Sequence, residues 1–291
     1  MRSSPFTLPS VVAGVLLLAA CGTQQAGSQS DGPAPTGVSG SPSGPVETCG
    51  EPESGVRLIR LAGAVGADCT GFEVTNDGTE PFTYTITLSL LSDSGGVMDN
   101  AQQVVSSVKP GQTVKRKVFM GATTTWTGLA IAKVRSVPTD EASAERGPCP
   151  ASGVRVYADQ GSAAMGLRVV GLRLENCGTR TYQLNGYPRL QPLDESHKPV
   201  DGVSVLRGGS SIATGTGADD TPQPLALAPG ERARAGLVWR NTTEAGVGDP
   251  VNAPYVRVWA KPGAAPVTVI PELDLGTTGK LAVGAWKKDE R

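Results

Sequence analysis

The sequence has few of the residues that metal sites and hydrolase active sites most often use. It contains a single histidine, His197, and aromatic residues make up 4% of its 291 residues. A Ser-His-Asp hydrolase would have to use His197, and no G-x-S-x-G motif places a serine for it. A histidine-based zinc site lacks ligands for the same reason. We therefore expect no catalytic residues, no metal and no cofactor, and we interpret His197 as a solvated turn residue.

An excess of charge of one sign is also missing. Lys and Arg together number 26 and Asp and Glu 27, which gives a net charge of −1. Proteins that bind nucleic acids usually carry a strong positive excess, so no nucleic-acid partner is expected. Several carboxylates fall in predicted turns, where aspartate is favoured by its own backbone hydrogen bonds; they are Asp93, Asp99, Asp194, Glu195, Asp201, Asp219 and Asp220. Two alternatives stay open: a calcium site, and a hydrolase that acts on cell-wall polymers with Asp194 and Asp219.

Long apolar runs are missing after the first 20 residues, which read MRSSPFTLPSVVAGVLLLAA and precede Cys21. Arg2 followed by an apolar stretch and small residues is the layout of a signal peptide. The stretch from Val11 to Ala20 is too short for a membrane-spanning helix, which needs about twenty residues. These features predict export from the cytoplasm, with residues 1–20 removed as the signal peptide.

The residues before the first cysteine, Leu18-Ala19-Ala20-Cys21, resemble the lipobox of bacterial lipoproteins. The resemblance implies that Cys21 becomes the mature N-terminus and carries a diacylglycerol, whose two acyl chains hold a protein stably on a membrane. The alternative is a secretory peptide with an incidental cysteine. Residues 21–46 are rich in Gly, Ser and Pro and predict a disordered tether. The expected location is the extracytoplasmic face of the cell membrane.

Five cysteines are an odd number, and lipid on Cys21 leaves four for disulfides. Four cysteines can pair in three ways. Export places them in an oxidising compartment, where disulfides persist. We favour the local pairing, which keeps each bridge within one half of the chain, namely Cys49–Cys69 and Cys149–Cys177.

Beyond the tether, apolar and polar residues alternate as they do in half-buried strands. Between Phe82 and Leu90 every second residue is large and apolar, and Val256 and Val258 lie opposite Tyr255, Arg257 and Trp259 in the same manner. No amphipathic helix is evident, and 38 Gly and 23 Pro punctuate the strands. This pattern predicts an all-β protein and argues against a solute-binding lipoprotein built from βα units.

Two short motifs occur twice, about one domain length apart. Asn76 begins the sequence NDGT and Asn176 begins NCGT, an offset of 176 − 76 = 100 residues, and each half then carries a Pro-Gly pair, Pro110-Gly111 or Pro229-Gly230. Both motifs predict turns. We therefore predict two Ig-like antiparallel β-sandwich domains, 47–138 and 149–291, joined by a hinge at 139–148.

The second half carries three motifs in order, ENCGT at 175–179, LNGYP at 184–188 and LAPGE at 227–231. With these it resembles domain of unknown function 4232, a family found in secreted proteins and lipoproteins of Gram-positive bacteria. The resemblance implies a β-sandwich and no established activity. The first half resembles Ig-like lipoprotein domains more loosely, including the FxLYD type, through Asn76-Asp77-Gly78 and Pro110-Gly111.

The connection at 205–222 is long for a β-sandwich, and long loops often carry function or are mobile. It supplies five candidate ligand contacts, Arg207, Ser210, Ser211, Asp219 and Asp220. Its Gly-Thr-Gly at 215–217 lacks both the following Lys-Ser or Lys-Thr and the helix that phosphate loops use.

For the clustered basic residues and the aromatic residues on strands we favour a structural role over a role in binding. We interpret Lys115-Arg116-Lys117 and the pair Arg232 and Arg234 as charges that protect exposed strand edges, with an anionic wall polymer or headgroup as the alternative. The larger aromatics are interpreted as packing residues, with a sugar-stacking platform as the alternative; they are Tyr187, Trp239, Trp259 and Trp286. Together these features predict a monomeric, lipid-anchored, non-catalytic binding or adaptor protein with a cell-wall or protein partner.

Overall fold

A computed structural model describes residues 47–61, 69–118 and 126–289. The predicted signal peptide, Cys21 and the predicted tether lie outside the described residues. Within these ranges the regular structure consists of strands and one short 3-10 turn, which confirms the all-β class. No helix in the described part of the chain is long and apolar enough to cross a membrane.

The first half forms two antiparallel sheets, with strand orders β1-β2-β3-β6 and β5-β4-β7. Its strands are β1 (Glu47–Glu53), β2 (Val56–Arg60), β3 (Gly71–Thr75), β4 (Phe82–Leu91), β5 (Val97–Val108), β6 (Thr113–Lys117) and β7 (Gly128–Pro138). Alternate residues of β4, among them Tyr84, Ile86 and Leu88, are buried and share one core with Val56 and Phe72 of the other sheet. Two sheets around one core are the arrangement of a β-sandwich.

A 3-10 turn, Thr139–Glu141, connects the halves, and fourteen strands follow in the second half. They are β8 (Val154–Ala158), β9 (Ser162–Ala164), β10 (Leu167–Asn176), β11 (Tyr182–Leu184), β12 (Arg189–Leu193), β13 (Ser204–Arg207), β14 (Leu225–Leu227), β15 (Arg232–Arg240), β16 (Asn252–Ala253), β17 (Tyr255–Trp259), β18 (Val267–Val269), β19 (Leu273–Asp274), β20 (Lys280–Val283) and β21 (Lys287–Asp289).

Two sheets of the second half enclose its core. The large sheet has the order β13-β20-β15-β10-β8, with β21 also paired to β15 and β9 to β10, and the small sheet has the order β12-β17-β18. Leu172, Leu237 and Trp239 of the large sheet pack with Val256 and Val258 of the small one. One pair of named strands, β13 with β20, is parallel, and the other pairs of named strands in the described residues are antiparallel, as predicted.

In the first half, the repeated asparagine joins the NDGT turn to the Pro-Gly turn. Asn76 is buried, and its Nδ2 donates hydrogen bonds of 2.8 Å to the carbonyl oxygens of Glu80 and Val108. Its Oδ1 accepts a bond of 2.9 Å from the Gly78 N–H, and its backbone carbonyl accepts one of 2.8 Å from the Gly111 N–H. One buried side chain therefore satisfies three backbone groups from two turns.

The second half repeats this arrangement bond for bond. Asn176 Nδ2 donates to the carbonyl oxygens of Arg180 at 2.9 Å and Leu227 at 2.8 Å. Its Oδ1 accepts from the Gly178 N–H at 3.2 Å, and its carbonyl accepts from the Gly230 N–H at 2.7 Å. The internal repeat seen in the sequence is thus also a repeat of structure.

Both predicted disulfides are present. Cys49 is bonded to Cys69 with a Cα–Cα distance of 6.4 Å, and Cys149 to Cys177 with one of 5.6 Å. Each bridge lies within one half of the chain. In the chain-entropy account, loops of this length contribute about 3 to 4 kcal/mol each to the free energy of unfolding.

Side chains from β7 contact the second half directly. Arg135 binds Glu272 through two hydrogen bonds, Nε to Oε1 at 2.8 Å and Nη2 to Oε2 at 2.9 Å. The Ser136 N–H donates to the Tyr255 hydroxyl at 3.2 Å, and the Ser136 carbonyl lies 2.7 Å from His197 Nε2. His197 lies in the predicted turn, but its ring packs 4.6 Å from that of Tyr255. The interpretation of His197 as a solvated residue is therefore wrong, because it is half-buried between the two halves.

The first residues of the predicted hinge also contact the second half. The Glu141 carboxylate accepts hydrogen bonds from Arg257 Nε at 2.7 Å and from the Thr268 hydroxyl at 2.8 Å. Ala142 pairs with Thr268 in an isolated parallel bridge. These bonds attach the connection to the small sheet.

Replacing either repeated asparagine by alanine, as Asn76→Ala or Asn176→Ala, should lower the free energy of unfolding by about 2 to 4 kcal/mol, because two carbonyl oxygens and one N–H lose buried partners. Urea denaturation followed by circular dichroism measures the loss. Asn185→Ala is the control, since Asn185 is exposed. Losses no larger than that of the control would contradict the role given to these amides.

Candidate functional site

The long loop that follows β13 is folded down on the outer face of the large sheet. Ala218 in this loop is 2% exposed and packs with Val238 and Ala282. It fits there because glycines lie beneath it: a Cβ on Gly236 would approach the Ala218 Cβ to 3.2 Å, and one on Gly284 would approach its Cα to 3.0 Å. Glycines on β15 and directly after β20 thus leave the space in which the loop packs, and we call this space the seat of the loop.

Four of the five candidate ligand contacts hold this loop in place. Asp219 Oδ1 accepts a hydrogen bond from the Ser210 N–H, and the Asp220 carboxylate pairs with Lys287 on β21. The Ser211 hydroxyl lies 3.4 Å from a carbonyl oxygen of the same loop. The structure therefore does not bring the five predicted residues together in one site, since these four bind within the loop or to the strand beside it.

Arg207, the fifth candidate, lies elsewhere, in an open groove of about 580 Å³. The groove lies where the end of β13 meets β12, β17 and the turn after β17. We call it the aromatic groove, and the residues that define it are Tyr187, Arg189, Val205, Arg207, Trp259 and Lys261.

Cations lie over aromatic rings in this groove. The Arg189 guanidinium carbon lies 3.9 Å from the centroid of the Trp259 ring, its direct cross-strand partner. The Arg207 guanidinium carbon lies 5.6 Å from the Tyr187 centroid. Lys261 Nζ lies 3.9 Å from the centroid of the neighbouring Tyr182. Cation–π contacts of this kind hold long side chains in place without neutralising them.

The charge of the aromatic groove is uncompensated. Its lining contains Arg189, Arg207 and Lys261 and no carboxylate. None of the three forms an ion pair within the described residues. By contrast, many other basic side chains of the second half pair with a carboxylate. A concave surface that carries only positive charges attracts anions. The faces of its aromatic rings can pack against an apolar group or a sugar ring.

Residues 149–287 match the family described as "Domain of unknown function (DUF4232)". This confirms the resemblance of the second half. No curated protein matches the chain. The aromatic groove and the docked loop both lie within the DUF4232 region, whereas the likeness of the first half to Ig-like lipoprotein domains stays a prediction.

The tryptophans of the DUF4232 region divide into two groups. Trp239 and Trp286 are each 1% exposed, and their indole N–H groups donate to Asp274 Oδ1 at 2.7 Å and to the Ala260 carbonyl at 2.9 Å. The prediction that they are packing residues is confirmed. Trp259 is half-buried and lines the aromatic groove instead.

The interpretation of basic residues as edge protection holds for one cluster and fails for the other. Lys115-Arg116-Lys117 lie on β6, at the edge of its sheet. Arg232 and Arg234 lie on β15, which has β10 on one side and β20 and β21 on the other. That second interpretation is wrong, because β15 is paired on both sides and is not an edge strand.

Asp194 and Asp219, the pair considered for a hydrolase, each cap a turn. Asp194 Oδ1 accepts hydrogen bonds from the N–H groups of Ser196 at 2.8 Å and Lys198 at 2.9 Å. These are the local backbone bonds that favour aspartate in turns. Across the described ranges, no three His, Cys, Asp or Glu side chains are close enough together to hold a metal ion.

The substitution Ala218→Leu should lift the loop from the large sheet, because the seat between Gly236 and Gly284 has no room for a longer side chain. Overpacking of this kind costs about 1 to 3 kcal/mol. Limited proteolysis should show faster cleavage within 208–220. Ala226→Leu, at an exposed position on β14, is the control and should be cleaved at the native rate. Equal cleavage in both variants would contradict the docking.

Proposed function

We propose that this chain is a non-catalytic binding or adaptor lipoprotein, held on the extracytoplasmic face of the cell membrane by lipid on Cys21. Its ligand in this proposal is an anionic cell-wall polymer that lies in the aromatic groove. The observation that carries the proposal is the set of three cations in that groove, which face no carboxylate. The two disulfides support a location outside the cytoplasm, because such bonds persist in oxidising compartments.

The dimensions of the groove suit a segment of polymer. Its volume of about 580 Å³ falls within the range of known ligand pockets, roughly 300 to 1,000 Å³. The planar guanidinium groups of Arg189 and Arg207 can each bind a phosphate or carboxylate through two hydrogen bonds. Tyr187 and Trp259 supply ring surface for the uncharged part of a repeat unit. A tether of residues 21–46 would hold the groove near the membrane, within reach of wall polymers.

Arg189→Ala and Arg207→Ala should each weaken binding of a phosphodiester-linked wall polymer about tenfold, since each removes a charge-assisted contact. Isothermal titration calorimetry of the purified chain measures this, with an uncharged wall polysaccharide as the ligand control. Affinity should also fall as salt is raised, because exposed charges are screened.

Arg180→Ala is the matched protein control, since Arg180 is exposed in the same half and lies outside the groove. It should bind the polymer with close to native affinity. Equal binding by native protein and the Arg189→Ala, Arg207→Ala double variant would place the ligand elsewhere. Equal binding of charged and uncharged polymers would remove the electrostatic basis of the proposal.

The anchor is tested separately by mass spectrometry of the protein isolated from bacterial membranes. We expect the mature chain to begin at Cys21 with a thioether-linked diacylglycerol, as the lipobox resemblance implies. Cys21→Ser should remain unprocessed and lack the lipid mass. An unmodified N-terminus upstream of Cys21 in the native protein would contradict the anchor. The proposal for the aromatic groove does not depend on this result.

A further inference from the structure

A second cavity, of about 450 Å³, lies on the outer face of the large sheet beside the docked loop. Its floor includes Arg173 on β10 and Arg234 on β15, and the docked loop contributes Thr216 to its wall. The rest of the lining includes the segment 159–162, which begins at Asp159, and Lys287 on β21. We call this space the sheet cavity. It shares no lining residue with the aromatic groove.

Two polar atoms of the sheet cavity lack partners. Arg234 Nε and the Thr216 hydroxyl oxygen are buried and make no hydrogen bond, and they are two of three such side-chain atoms in the described residues. Both residues line the same cavity. Because buried polar atoms are nearly always satisfied in proteins, two unsatisfied ones on residues that line the same cavity favour a bound acceptor there.

Charge at the same place favours an anion as that acceptor. Arg234 lies directly across from Arg173 on one neighbouring strand and from Lys287 on the other. Like charges at facing cross-strand positions repel each other. An anion between them would remove this repulsion.

The carboxylates near the cavity already bind other groups. Arg173 forms ion pairs with Asp159 at 3.1 Å and Asp289 at 2.6 Å, and Lys287 pairs with Asp220. Asp159 Oδ1 also accepts hydrogen bonds from two backbone N–H groups, at 2.7 and 3.0 Å. Arg234 has no carboxylate partner among the described residues, so the uncompensated positive charge of the sheet cavity lies on its guanidinium.

We infer that the sheet cavity binds a tetrahedral oxyanion, phosphate or sulfate, through the Arg234 guanidinium and the Thr216 hydroxyl. A guanidinium offers several N–H donors in one plane, and a threonine hydroxyl adds one from a different direction. An anion with oxygens on several sides can accept from both. Lys287 then contributes long-range attraction, since its ammonium group is held by Asp220 and by the Gly217 carbonyl at 2.9 Å.

Thermal unfolding of the full chain in inorganic phosphate tests this directly. Phosphate should raise the melting temperature in a saturable manner, relative to chloride at equal ionic strength, because a ligand that binds the folded state stabilises it. Sulfate should act in the same way. Glycerol phosphate provides a second arm: stabilisation by the free ion alone indicates a free oxyanion, and stabilisation by the ester as well indicates a phosphate group on a larger molecule. Absence of a saturable effect from all three would overturn the inference.

Variants locate the effect. Arg234→Gln and Thr216→Val should each weaken phosphate binding at least tenfold, as measured by isothermal titration calorimetry. Arg232→Gln, on the same strand and outside the cavity lining, and Thr214→Val, at an exposed position of the loop, are the matched controls. Equal losses in Arg232→Gln and Arg234→Gln would overturn the assignment of the anion to this cavity.

A readout without ligand separates binding from a structural role. In the absence of oxyanions, Arg234→Gln should melt no lower than the native protein, because it removes a cation that is repelled by Arg173 and Lys287 and an unsatisfied buried donor. A lower melting temperature without ligand, together with a native response to phosphate, would show that Arg234 supports the sheet and would overturn the inference.

Discussion

The amide group of a buried asparagine determines how each half of this protein closes. Asn76 and Asn176 connect turns to carbonyl groups 32 and 51 residues further along the chain. An amide offers two N–H donors and an acceptor on a short side chain, and each repeated asparagine uses all three. Aspartate has no such donors, and glutamine would place them farther from the backbone. The Pro-Gly turn held in this way precedes β6 in one half and β15 in the other, so one side chain holds the turn that leads into the central strand of the large sheet.

Local sequence pattern predicted the strands well, because alternation of apolar and polar residues reflects burial on one face. The repeat and the short cysteine spacings likewise predicted two similar halves and their disulfides. The pairing of strands that are distant in the sequence was harder to predict. The edge interpretation of Arg234 failed since the short strands β20 and β21 that flank β15 carry little alternating signal. The contacts of His197 were missed because they come from Ser136 on β7 and Tyr255 on β17, which are far away in the sequence and have no local pattern to mark them.

The candidate site shows the same division. Arg207 was predicted because it begins a long loop, and Tyr187 and Trp259 were named only in the alternative of a sugar-stacking platform. Arg189 and Lys261 were missed. A signal existed: Tyr187 with Arg189 and Trp259 with Lys261 are aromatic and basic residues two apart, which places each pair on one face of a strand or its extension. In contrast, Ser210, Asp219 and Asp220 looked available for a ligand because polar loop residues often are. They instead hold the loop on the large sheet, and the flat seat made by Gly236 and Gly284 is visible only once the strands are paired.

The docked loop has one further consequence. Arg207, the last residue of β13 before this loop, lines the aromatic groove, and Thr216 within the loop lines the sheet cavity. One short segment is therefore common to both spaces, with Ala218 fixed on the strands beneath. An occupant that shifted this segment at one end would change the geometry available at the other. Thermodynamic linkage would then require the coupling to be mutual, with each occupant altering the affinity for its counterpart by the same factor.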